Sequence, residues 1–402
     1  MGHVVVIGAG QAGSSCVAKL RNSGFGGKIT LIGAETVPPY QRPPLSKAYL
    51  LGDMTLERLF LRPESFYGEY DIDLMLGTHV DSIDTAAQTI RVNGDDMPYD
   101  SLVLTTGSVP RRLPASIGGA LEGVHVVRDL VDVDTMGPRF TKGARVLIVG
   151  GGYIGLEAAS VAAKLGLNVT LVEMGDRILQ RVAAPQTSDF FRDLHRSHGV
   201  DIREGVGLER LIGDAHVTAA RLSDGSELPV DFVIVGVGIG PAQELAEAAG
   251  IEIDNGIKTD SHGRTSAPNV WAAGDCTSFP YRGTRIRLES VPNAIDQAEC
   301  VAENIMGADK EYAAKPWFWS DQYDVKLQIA GLNTGYDRVI TRRTDEDSVA
   351  FWYYKGAELL AVDAMNDPRG FMIGRRLIEA GKSPAPELIE DPETDLKALL
   401  KA

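Results

Sequence analysis

The opening of the chain alternates between apolar runs and a glycine-rich turn. An apolar run at residues 4–7 is followed by the turn GAGQAG at 8–13, by apolar positions at helical spacing, and by a second apolar run at 29–32 that leads to Glu35. Continuous apolar runs on both sides of a helical pattern are typical of parallel strands buried on both faces. This stretch therefore predicts a strand–turn–helix–strand unit with a carboxylate beyond its second strand.

The same pattern returns in the middle of the chain. An apolar run at 145–149 precedes the turn GGGYIG at 150–155, a helical pattern, and a further run at 169–172 that ends in Glu173. Two copies with the same order and spacing argue against coincidence and predict two nucleotide-binding units of one architecture.

Each turn has the glycine spacing of a dinucleotide-binding fingerprint. Glycine allows a tight turn and a close approach of the backbone to a pyrophosphate, which sits at the positive N-terminus of the next helix. Glu35 and Glu173 each follow about 20 residues beyond the turn, where a carboxylate accepts from a ribose hydroxyl. Because a carboxylate repels a 2′-phosphate, Glu173 predicts NADH rather than NADPH in the second unit, although the nearby Arg177 argues the other way.

Other segments also indicate ligand contacts. Four prolines between positions 38 and 44 predict a stiff, extended loop that delivers Arg42 and Lys47 to the ligand. Buried strands end in Thr106-Gly107 and in Gly274-Asp275, where glycine lets the backbone pass close to a ligand. Gly238 lies in a turn that fits either a nucleotide contact or a domain crossover.

The last part of the chain alternates apolar and polar positions like an antiparallel sheet. Trp317 and Trp319 fall on one face of its first strand, where they either anchor a core or stack on a flat cofactor. A helix is expected at 295–306, before this sheet. The alternation continues at 325–332, 338–343, 349–354 and 358–362, and two short helices follow.

Composition and charge limit the class of protein. A chain of 402 residues is too long to fold around a single hydrophobic core, so two or three domains are expected. The net charge of −15 argues against a nucleic-acid binder. No apolar stretch approaches the ~20 residues of a membrane span. The first strand leaves no room for a signal peptide and the three cysteines have no paired spacing, so a cytoplasmic location without a dithiol site is expected. His195 and His198 are expected on a solvated helix face rather than in a metal site.

In combination the motifs are specific. The turn at 8–13, PPLSK at 43–47, the segment 150–157, Gly274-Asp275, and the segments 289–294 and 316–322 resemble, essentially end to end, the FAD-dependent, NADH-using ferredoxin reductases of bacterial cytochrome P450 and ring-hydroxylating dioxygenase systems, the putidaredoxin reductase type. The resemblance implies an α/β fold of glutathione-reductase-like architecture, with two Rossmann-like domains and a C-terminal α+β domain. The expected bounds are 1–108 and 241–315 for FAD, 109–240 for NAD, and 316–402 for the C-terminal domain.

The resemblance also implies roles for individual residues. Lys47 is expected by the flavin ring, Glu157 near the nicotinamide and paired with Lys47, and Trp319 in the lining of both, which makes these three the expected catalytic residues. For FAD it implies Ala12, Glu35, Lys47, Val80, Arg128, Asp275 and Val291; for NADH, Gly152, Tyr153, Ile154, Glu157 and Glu173. The sequence patterns themselves add Gly8, Gly10, Gly13, Arg42, Thr106, Gly107, Gly150, Gly155, Gly238 and Gly274 to the cofactor-binding set. No metal site is expected.

The implied acceptor is a [2Fe-2S] ferredoxin that feeds a cytochrome P450 or a Rieske oxygenase. Two positions depart from the family pattern: ribose binding rests on Glu35 alone, and Glu299 replaces a basic residue that some relatives carry, which weakens the carry-over of their docking surface. Because the chain is acidic, docking an acidic ferredoxin requires a local cationic patch. The candidates are Arg282, Arg285, Arg287, Arg338, Arg342 and Arg343. A rubredoxin reductase, a reductase of a small organic acceptor, and a redox-sensing flavoprotein resembling apoptosis-inducing factor fit the same cofactor residues.

Overall fold

The computed structural model describes residues 2–401. Its strands are β1 His3–Ile7, β2 Lys28–Ile32, β3 Ile72–Met75, β4 Val80–Asp84, β5 Thr89–Val92, β6 Asp95–Pro98, β7 Ser101–Leu104, β8 Ser108–Pro110, β9 Val124–His125, β10 Arg145–Val149, β11 Asn168–Glu173, β12 Asp201–Glu204, β13 Leu208–Ile212, β14 Ala219–Leu222, β15 Glu227–Pro229, β16 Phe232–Val235, β17 Ile239–Pro241, β18 Ile257–Lys258, β19 Val270–Ala272, β20 Thr277–Tyr281, β21 Thr284–Ile286, β22 Trp317–Gln322, β23 Val325–Gly331, β24 Arg338–Arg343, β25 Val349–Lys355 and β26 Glu358–Met365. Its α-helices are α1 Gln11–Asn22, α2 Leu56–Leu59, α3 Ser65–Glu69, α4 Leu130–Met136, α5 Tyr153–Lys164, α6 Pro185–Ser197, α7 Glu244–Ala248, α8 Val291–Ile305, α9 Pro368–Glu379 and α10 Pro386–Glu390.

The chain forms two compact units, each discontinuous in sequence. Unit 1 contains residues 2–42, 55–109 and 239–316, and unit 2 contains residues 43–54, 110–238 and 317–401. The proline-rich loop is therefore divided between the units. Pro38 and Pro39 belong to unit 1, whereas the segment PPLSK at 43–47 belongs to unit 2, with the second nucleotide-binding pattern and the C-terminal sheet. The bounds expected from the sequence for each cofactor-binding domain stay predictions.

Unit 1 is built on a parallel five-stranded sheet in the order β19-β7-β1-β2-β3. Strand β1 lies in the middle, with Val4 opposite Ile29 of β2 and Ser101 of β7. Residues 4–7 are buried because strands inside a parallel sheet are covered on both faces. Helix α1 and helix α8 pack on the same apolar cluster, which contains Cys16 and Ala298.

Unit 2 repeats this arrangement and adds an antiparallel sheet. Its parallel sheet has the order β12-β11-β10-β16-β9, with Val146 of β10 opposite Val169 and Phe232. The C-terminal residues form an antiparallel sheet in the order β22-β23-β26-β25-β24, on which α9 packs through Phe371 and Leu377. The predicted α/β architecture, with two nucleotide-binding patterns and a C-terminal α+β part, is confirmed.

Two local predictions were wrong. The loop expected to be extended contains a 3-10 turn at Pro43–Ser46, since the φ fixed by proline also suits a tight helical turn. Helix α8 begins at Val291 rather than at residue 295, because Ser290 caps it and accepts from the N–H of Asn293. Pro292 is tolerated there because the N–H groups of the first helical turn need no partner within the helix.

Candidate functional site

The first glycine turn leaves the N-terminus of α1 open. Gly10 is the N-cap residue, no side chain caps the helix, and a Cβ built on Gly10 meets nothing within 4 Å. Gly8 has a φ of +111°, and Cβ atoms built on Gly8 and Gly13 would lie 2.2 Å from the Thr105 carbonyl oxygen and 2.0 Å from that of Gly8. Gly8 and Gly13 are therefore needed for the turn itself, whereas Gly10 keeps space open over the helix amides.

Glu35, beyond the end of β2, is held by two side chains. Arg42 Nη2 and Tyr40 Oη each donate to its carboxylate at 2.5 Å. The Arg42 guanidinium also lies over the Tyr40 ring, 5.1 Å from its centroid. The carboxylate is fixed in position, and its oxygens keep lone pairs for further donors such as ribose hydroxyls.

The Gly274-Asp275 turn lies against α1. Gly274 has a φ of +85°, and a Cβ built on it would lie 3.1 Å from the Cβ of Ala12, so glycine allows this close approach. The Gly274 N–H donates to Gln297 Oε1 at 2.8 Å, and Ser108 Oγ donates to Asp275 at 3.2 Å. These bonds place the Asp275 carboxylate in the same unit as the first glycine turn.

The other residues expected at FAD are spread over two units. Thr106 and Gly107 follow β7, Gly107 has a φ of +73°, and both lie in unit 1. Val80 begins β4 and Val291 begins α8, also in unit 1. Arg128 instead belongs to unit 2, where its N–H donates to Asp132 Oδ2 at 3.0 Å.

The second glycine turn has the geometry of the first. Gly150 has a φ of +111°, and Cβ atoms built on Gly150 and Gly155 would lie 2.3 Å from the Gly236 carbonyl oxygen and 2.2 Å from that of Gly150. Gly152 caps α5 without any side-chain bond, and its Cβ would again meet nothing within 4 Å. Gly238, with a φ of +103°, follows the neighbouring strand β16.

Glu173 is tied to the backbone of this turn. Its two carboxylate oxygens accept from the N–H groups of Gly151 and Gly175, each at 2.7 Å. Arg177 donates to Ser188 Oγ at 2.5 Å and to the carbonyl of Ala183 at 2.8 Å. The Glu173 carboxylate therefore lies at the glycine turn. The Arg177 guanidinium instead binds Ala183, just before α6, and Ser188, in its first turn.

Tyr153 and Ile154 stand at the start of α5 with opposite surroundings. The Tyr153 hydroxyl is buried and has no hydrogen-bond partner among residues 2–401, and burial raises its pKa well above the ordinary value. Its ring packs 4.9 Å from that of Phe318. Ile154 is 46% exposed. The side chain of Ile154 is therefore accessible from outside the protein, whereas Tyr153 contributes to the core.

Lys47 and Glu157 form a buried pair in unit 2. Lys47 Nζ lies 3.0 Å from Glu157 Oε1 and 3.7 Å from Asp321 Oδ2. Ser46 and Ser320 donate to the two oxygens of Glu157, each at 2.7 Å. The Lys47 and Glu157 side chains are 16% and 4% exposed. The arrangement holds a lysine ammonium, which is otherwise flexible, at one place.

The electrostatics of Glu157 follow from this network. Burial raises the pKa of its carboxyl, and the attraction of Lys47 together with the hydrogen bonds from Ser320 and Ser46 opposes that rise. The sequence motifs contained both serines, but sequence reasoning missed them because a hydroxyl reveals its partner only in the folded chain.

Trp317 and Trp319 lie on β22 with their ring centroids 5.6 Å apart. Trp317 packs near Phe371 and under the guanidinium of Arg375, 5.1 Å from its ring centroid, and so belongs to the C-terminal core. Trp319 is half-buried and directly precedes Ser320. Of the two, Trp319 is adjacent in the chain to a residue that contacts Glu157.

The expectation that His195 lies on a solvated helix face was wrong. His195 is fully buried, and its Nε2 lies 2.8 Å from Gln322 Oε1. A signal was present, because Thr187, Phe191 and His195 recur at four-residue spacing and form the buried face of α6. His198 is exposed as expected.

Several of the six arginines considered for docking are engaged within their own units, among them Arg338, which pairs with Glu387 at 3.4 Å. Arg342 is 5% exposed and donates to four backbone carbonyls between residues 389 and 394. Arg285 donates to the carbonyls of Thr259 and Ser278, and Arg287 pairs with Glu289. The solvent-facing members of the set are Arg282, Arg338 and Arg343.

All three thiols are buried, and burial raises the pKa of Cys16 to about 12 and also raises those of Cys276 and Cys300. Within residues 2–401, no group of three or more His, Cys, Asp and Glu side chains is placed to hold a metal ion. No helix in this part of the chain has the length and apolar character needed to cross a membrane.

The two glycine turns fit dinucleotides. Each has an uncapped helix N-terminus, an open position over it at Gly10 or Gly152, and a carboxylate at the end of the next strand. A pyrophosphate needs the first two features and a ribose hydroxyl needs the third. The residues present are therefore compatible with one dinucleotide in each unit.

Comparisons with known proteins agree with this geometry. Residues 2–298 match the family described as pyridine nucleotide-disulphide oxidoreductase, and residues 317–400 match the reductase C-terminal family. A ferredoxin–NAD(P)(+) reductase of Sphingomonas sp. is 43% identical over 98% of this chain and 96% of its own, and the putidaredoxin reductase CamA of Pseudomonas putida is 41% identical over 100% and 97%. The crystal structure of the covalent putidaredoxin reductase–putidaredoxin complex matches with a TM-score of 0.96 and 40% identity, over 100% of this chain and 98% of that one.

Proposed function

The chain belongs to the pyridine nucleotide-disulphide oxidoreductase family, and we propose that it is an NADH-dependent ferredoxin reductase that carries FAD. The observation that carries the proposal is the pair of open glycine cradles, each with its own carboxylate, together with the buried Lys47–Glu157 pair. When bound, FAD takes up a hydride from NADH and releases electrons one at a time, which is chemistry that no side chain supplies.

The first cradle is assigned to FAD. Gly8, Gly10 and Gly13 would shape the pyrophosphate site at α1, and Glu35 would accept from ribose. The further residues assigned to FAD are Ala12, Arg42, Val80, Thr106, Gly107, Arg128, Gly274, Asp275 and Val291. This assignment corresponds to segments 1–108 and 241–315 as the FAD-binding domain, with 109–240 for NAD and 316–402 as the C-terminal domain.

The second cradle is assigned to NADH. Gly150, Gly152 and Gly155 would bind its pyrophosphate, Glu173 would accept from the free 2′-hydroxyl, and Ile154 would line the site. Tyr153 would contribute its backbone N–H, and Gly238 would lie alongside. Selectivity for NADH is supported by the carboxylate of Glu173 and by the engagement of Arg177 with Ser188, which leaves that guanidinium poorly placed for a 2′-phosphate.

Lys47, Glu157 and Trp319 are assigned to the reaction. A fixed ammonium stabilises negative charge that develops on a hydride acceptor, and Lys47 is fixed by Glu157 and Asp321. The carboxylate of Glu157 orients the Lys47 ammonium and partly neutralises its charge. Trp319 would supply a flat, half-buried wall beside the pair.

The electron acceptor is assigned to the [2Fe-2S] ferredoxins, which in turn serve a cytochrome P450 or a Rieske-type oxygenase. The assignment is supported by relatives named as ferredoxin and putidaredoxin reductases and by the structural match to a reductase–putidaredoxin complex. The buried cysteines have raised pKa values and hold protonated thiols at neutral pH, which favours an external carrier over an internal dithiol. The same unpaired thiols support a cytoplasmic location.

Anaerobic mixing tests the proposal. The purified yellow protein should lose its flavin absorbance with NADH much faster than with NADPH, and should then reduce a [2Fe-2S] ferredoxin in steady state. A colourless protein that takes up no added FAD, or equal rates with both nucleotides, would contradict it. Faster turnover with rubredoxin than with several ferredoxins would reassign the acceptor.

A further inference from the structure

Glu157 ends a line of hydrogen bonds that passes through the interior of unit 2. Ser320 Oγ donates to Glu157 Oε1 at 2.7 Å, and Gln322 Nε2 donates to Ser320 Oγ at 3.2 Å. His195 Nε2 lies 2.8 Å from Gln322 Oε1, and Tyr323 Oη lies 3.2 Å from His195 Nδ1. Ser320, Gln322 and His195 are fully buried, so water does not compete for these bonds.

The acceptor at the end determines the direction of every bond. An ionised carboxylate only accepts, so Ser320 donates to Glu157 and itself accepts from the Gln322 amide nitrogen. The Gln322 carbonyl oxygen then faces His195, which must carry its proton on Nε2. Its Nδ1 is left to accept from the Tyr323 hydroxyl. Bonds that all donate in one direction strengthen one another.

A donor at position 195 is therefore needed to keep Ser320 turned toward Glu157. Without it, the Gln322 carbonyl oxygen would be a buried acceptor with no donor, which is costly. The Ser320 hydroxyl could satisfy that carbonyl if the amide turned over, and Glu157 would then lose one of its donors. Ser46 and Lys47 would remain.

We propose that His195 is a positioning residue for the Lys47–Glu157 pair, which it controls by donating from Nε2 through Gln322 and Ser320. This inference rests on the role proposed above for that pair in hydride transfer from NADH. The line is anchored to α5, the helix that carries Glu157. The N–H of Tyr323 donates to Ser160 Oγ at 2.8 Å, and Lys164 Nζ donates to the carbonyl oxygen of Tyr323 at 3.1 Å.

The line requires a neutral imidazole at position 195 and an ionised carboxyl at position 157. Burial lowers the pKa of His195 to about 4, so the ring is neutral and holds one proton. The titratable groups that face His195 are His198, stacked 3.7 Å from the Tyr323 ring, and Tyr323 itself. Those that face Glu157 are Lys47 and, through it, Asp321.

The test uses the FAD-loaded protein labelled with carboxyl-¹³C glutamate, in which Glu157→Gln identifies the Glu157 resonance. His195→Phe keeps the ring volume and removes both nitrogens, and we expect the Glu157 carboxyl to titrate about one pH unit higher, as for the loss of a hydrogen bond to a charged group. His195→Gln retains an N–H donor and should restore most of the shift. His198→Phe, exposed and stacked on the same tyrosine, is the matched control and should leave the titration unchanged.

Kinetics of flavin reduction by NADH give a second readout. The acid limb of the pH–rate profile should move to higher pH in His195→Phe, because Glu157 must be ionised to orient Lys47. When His195→Phe is added to Ser320→Ala, the rate should change little, because both substitutions interrupt the same line of hydrogen bonds. When His195→Phe is added to Ser46→Ala, the two effects on the rate should multiply, because Ser46 donates to the other carboxylate oxygen of Glu157.

An unchanged Glu157 titration in a folded His195→Phe protein would overturn the inference. If that variant does not fold, Gln322→Met interrupts the line at another residue and must produce the same shift. A wild-type protein that NADH fails to reduce, but whose Glu157 titration responds to these substitutions, would defeat the proposed function and leave the positioning role intact.

Discussion

Lys47 Nζ lies 3.0 Å from Glu157 Oε1, although the two residues come from distant parts of the sequence. Lys47 directly follows the 3-10 turn Pro43–Ser46, and Glu157 lies in the second turn of α5. Ser46 bonds the same carboxylate, so the turn delivers two donors at once. The turn Pro43–Ser46 thus acts as a rigid support for a buried charge pair within unit 2.

Lys47→Ala should slow reduction of the flavin by NADH about tenfold to hundredfold, because the developing negative charge loses its fixed cation. FAD content should stay near that of the wild type. Stopped-flow absorbance under anaerobic conditions measures the rate, and Lys326→Ala on the exposed face of β23 is the control. Equal rates in the two variants would remove Lys47 from the reaction.

Gly10→Ala should abolish tight FAD binding without harming the fold. Its backbone is extended, with a φ of −96°, and the added Cβ meets no protein atom, but it fills the space over the helix amides. The ratio of flavin to protein absorbance and the thermal midpoint of the apoprotein measure the two effects. Gly137→Ala also meets nothing within 4 Å and should bind FAD normally. Retention of FAD by Gly10→Ala would relocate the pyrophosphate.

Glu173→Gln should reduce the preference for NADH over NADPH about tenfold, equivalent to about 1.4 kcal/mol. The substitution removes the charge that repels a 2′-phosphate and keeps one oxygen to accept from the backbone of the glycine turn. The ratio of kcat/KM for the two nucleotides is the measurement. If that ratio does not move, discrimination comes from another residue.

Asp363→Asn should change how stability depends on pH. Burial raises the pKa of Asp363 to about 6, despite hydrogen bonds from Tyr353 and Thr187 that favour the charged form. Because the folded pKa lies above the ordinary ~3.9, this stabilising contribution is complete below about pH 4 and is lost as pH rises through 6, a change of about 3 kcal/mol.

The asparagine does not titrate, so the thermal midpoint of the variant relative to wild type should rise between pH 4 and 7. Thermal unfolding at half-unit pH intervals measures this, with exposed Asp347→Asn as the control. Parallel curves for wild type and Asp363→Asn would show that Asp363 is ionised throughout.

Arg342→Ala should destabilise the protein by about 3 kcal/mol or more, because four backbone carbonyls lose a charged donor. Arg343→Ala, its exposed neighbour, should stay within about 0.5 kcal/mol. Denaturant unfolding compares the two. A wild-type midpoint for Arg342→Ala would return this arginine to the set of docking candidates.

The sequence predicted what depends on local pattern. Apolar runs, glycine spacing and the carboxylates at 35 and 173 located both cradles, because strand, turn and helix are each read within a few residues. The expected start of α8 was four residues late, since the helix begins at Val291 and its first turn contains Pro292, a position where proline is tolerated.

By itself, then, the sequence determined the repeated nucleotide-binding units and the antiparallel C-terminal sheet, while the preference for NADH expected from Glu173 stays a prediction. Only the tertiary structure decided that Ser46 and Ser320 hold the carboxylate of Glu157, that His195 is buried against Gln322, and that Arg342 binds carbonyls rather than facing solvent. The physical reason is that a polar side chain takes its role from its partner and its burial. Both are set by residues far away in the chain.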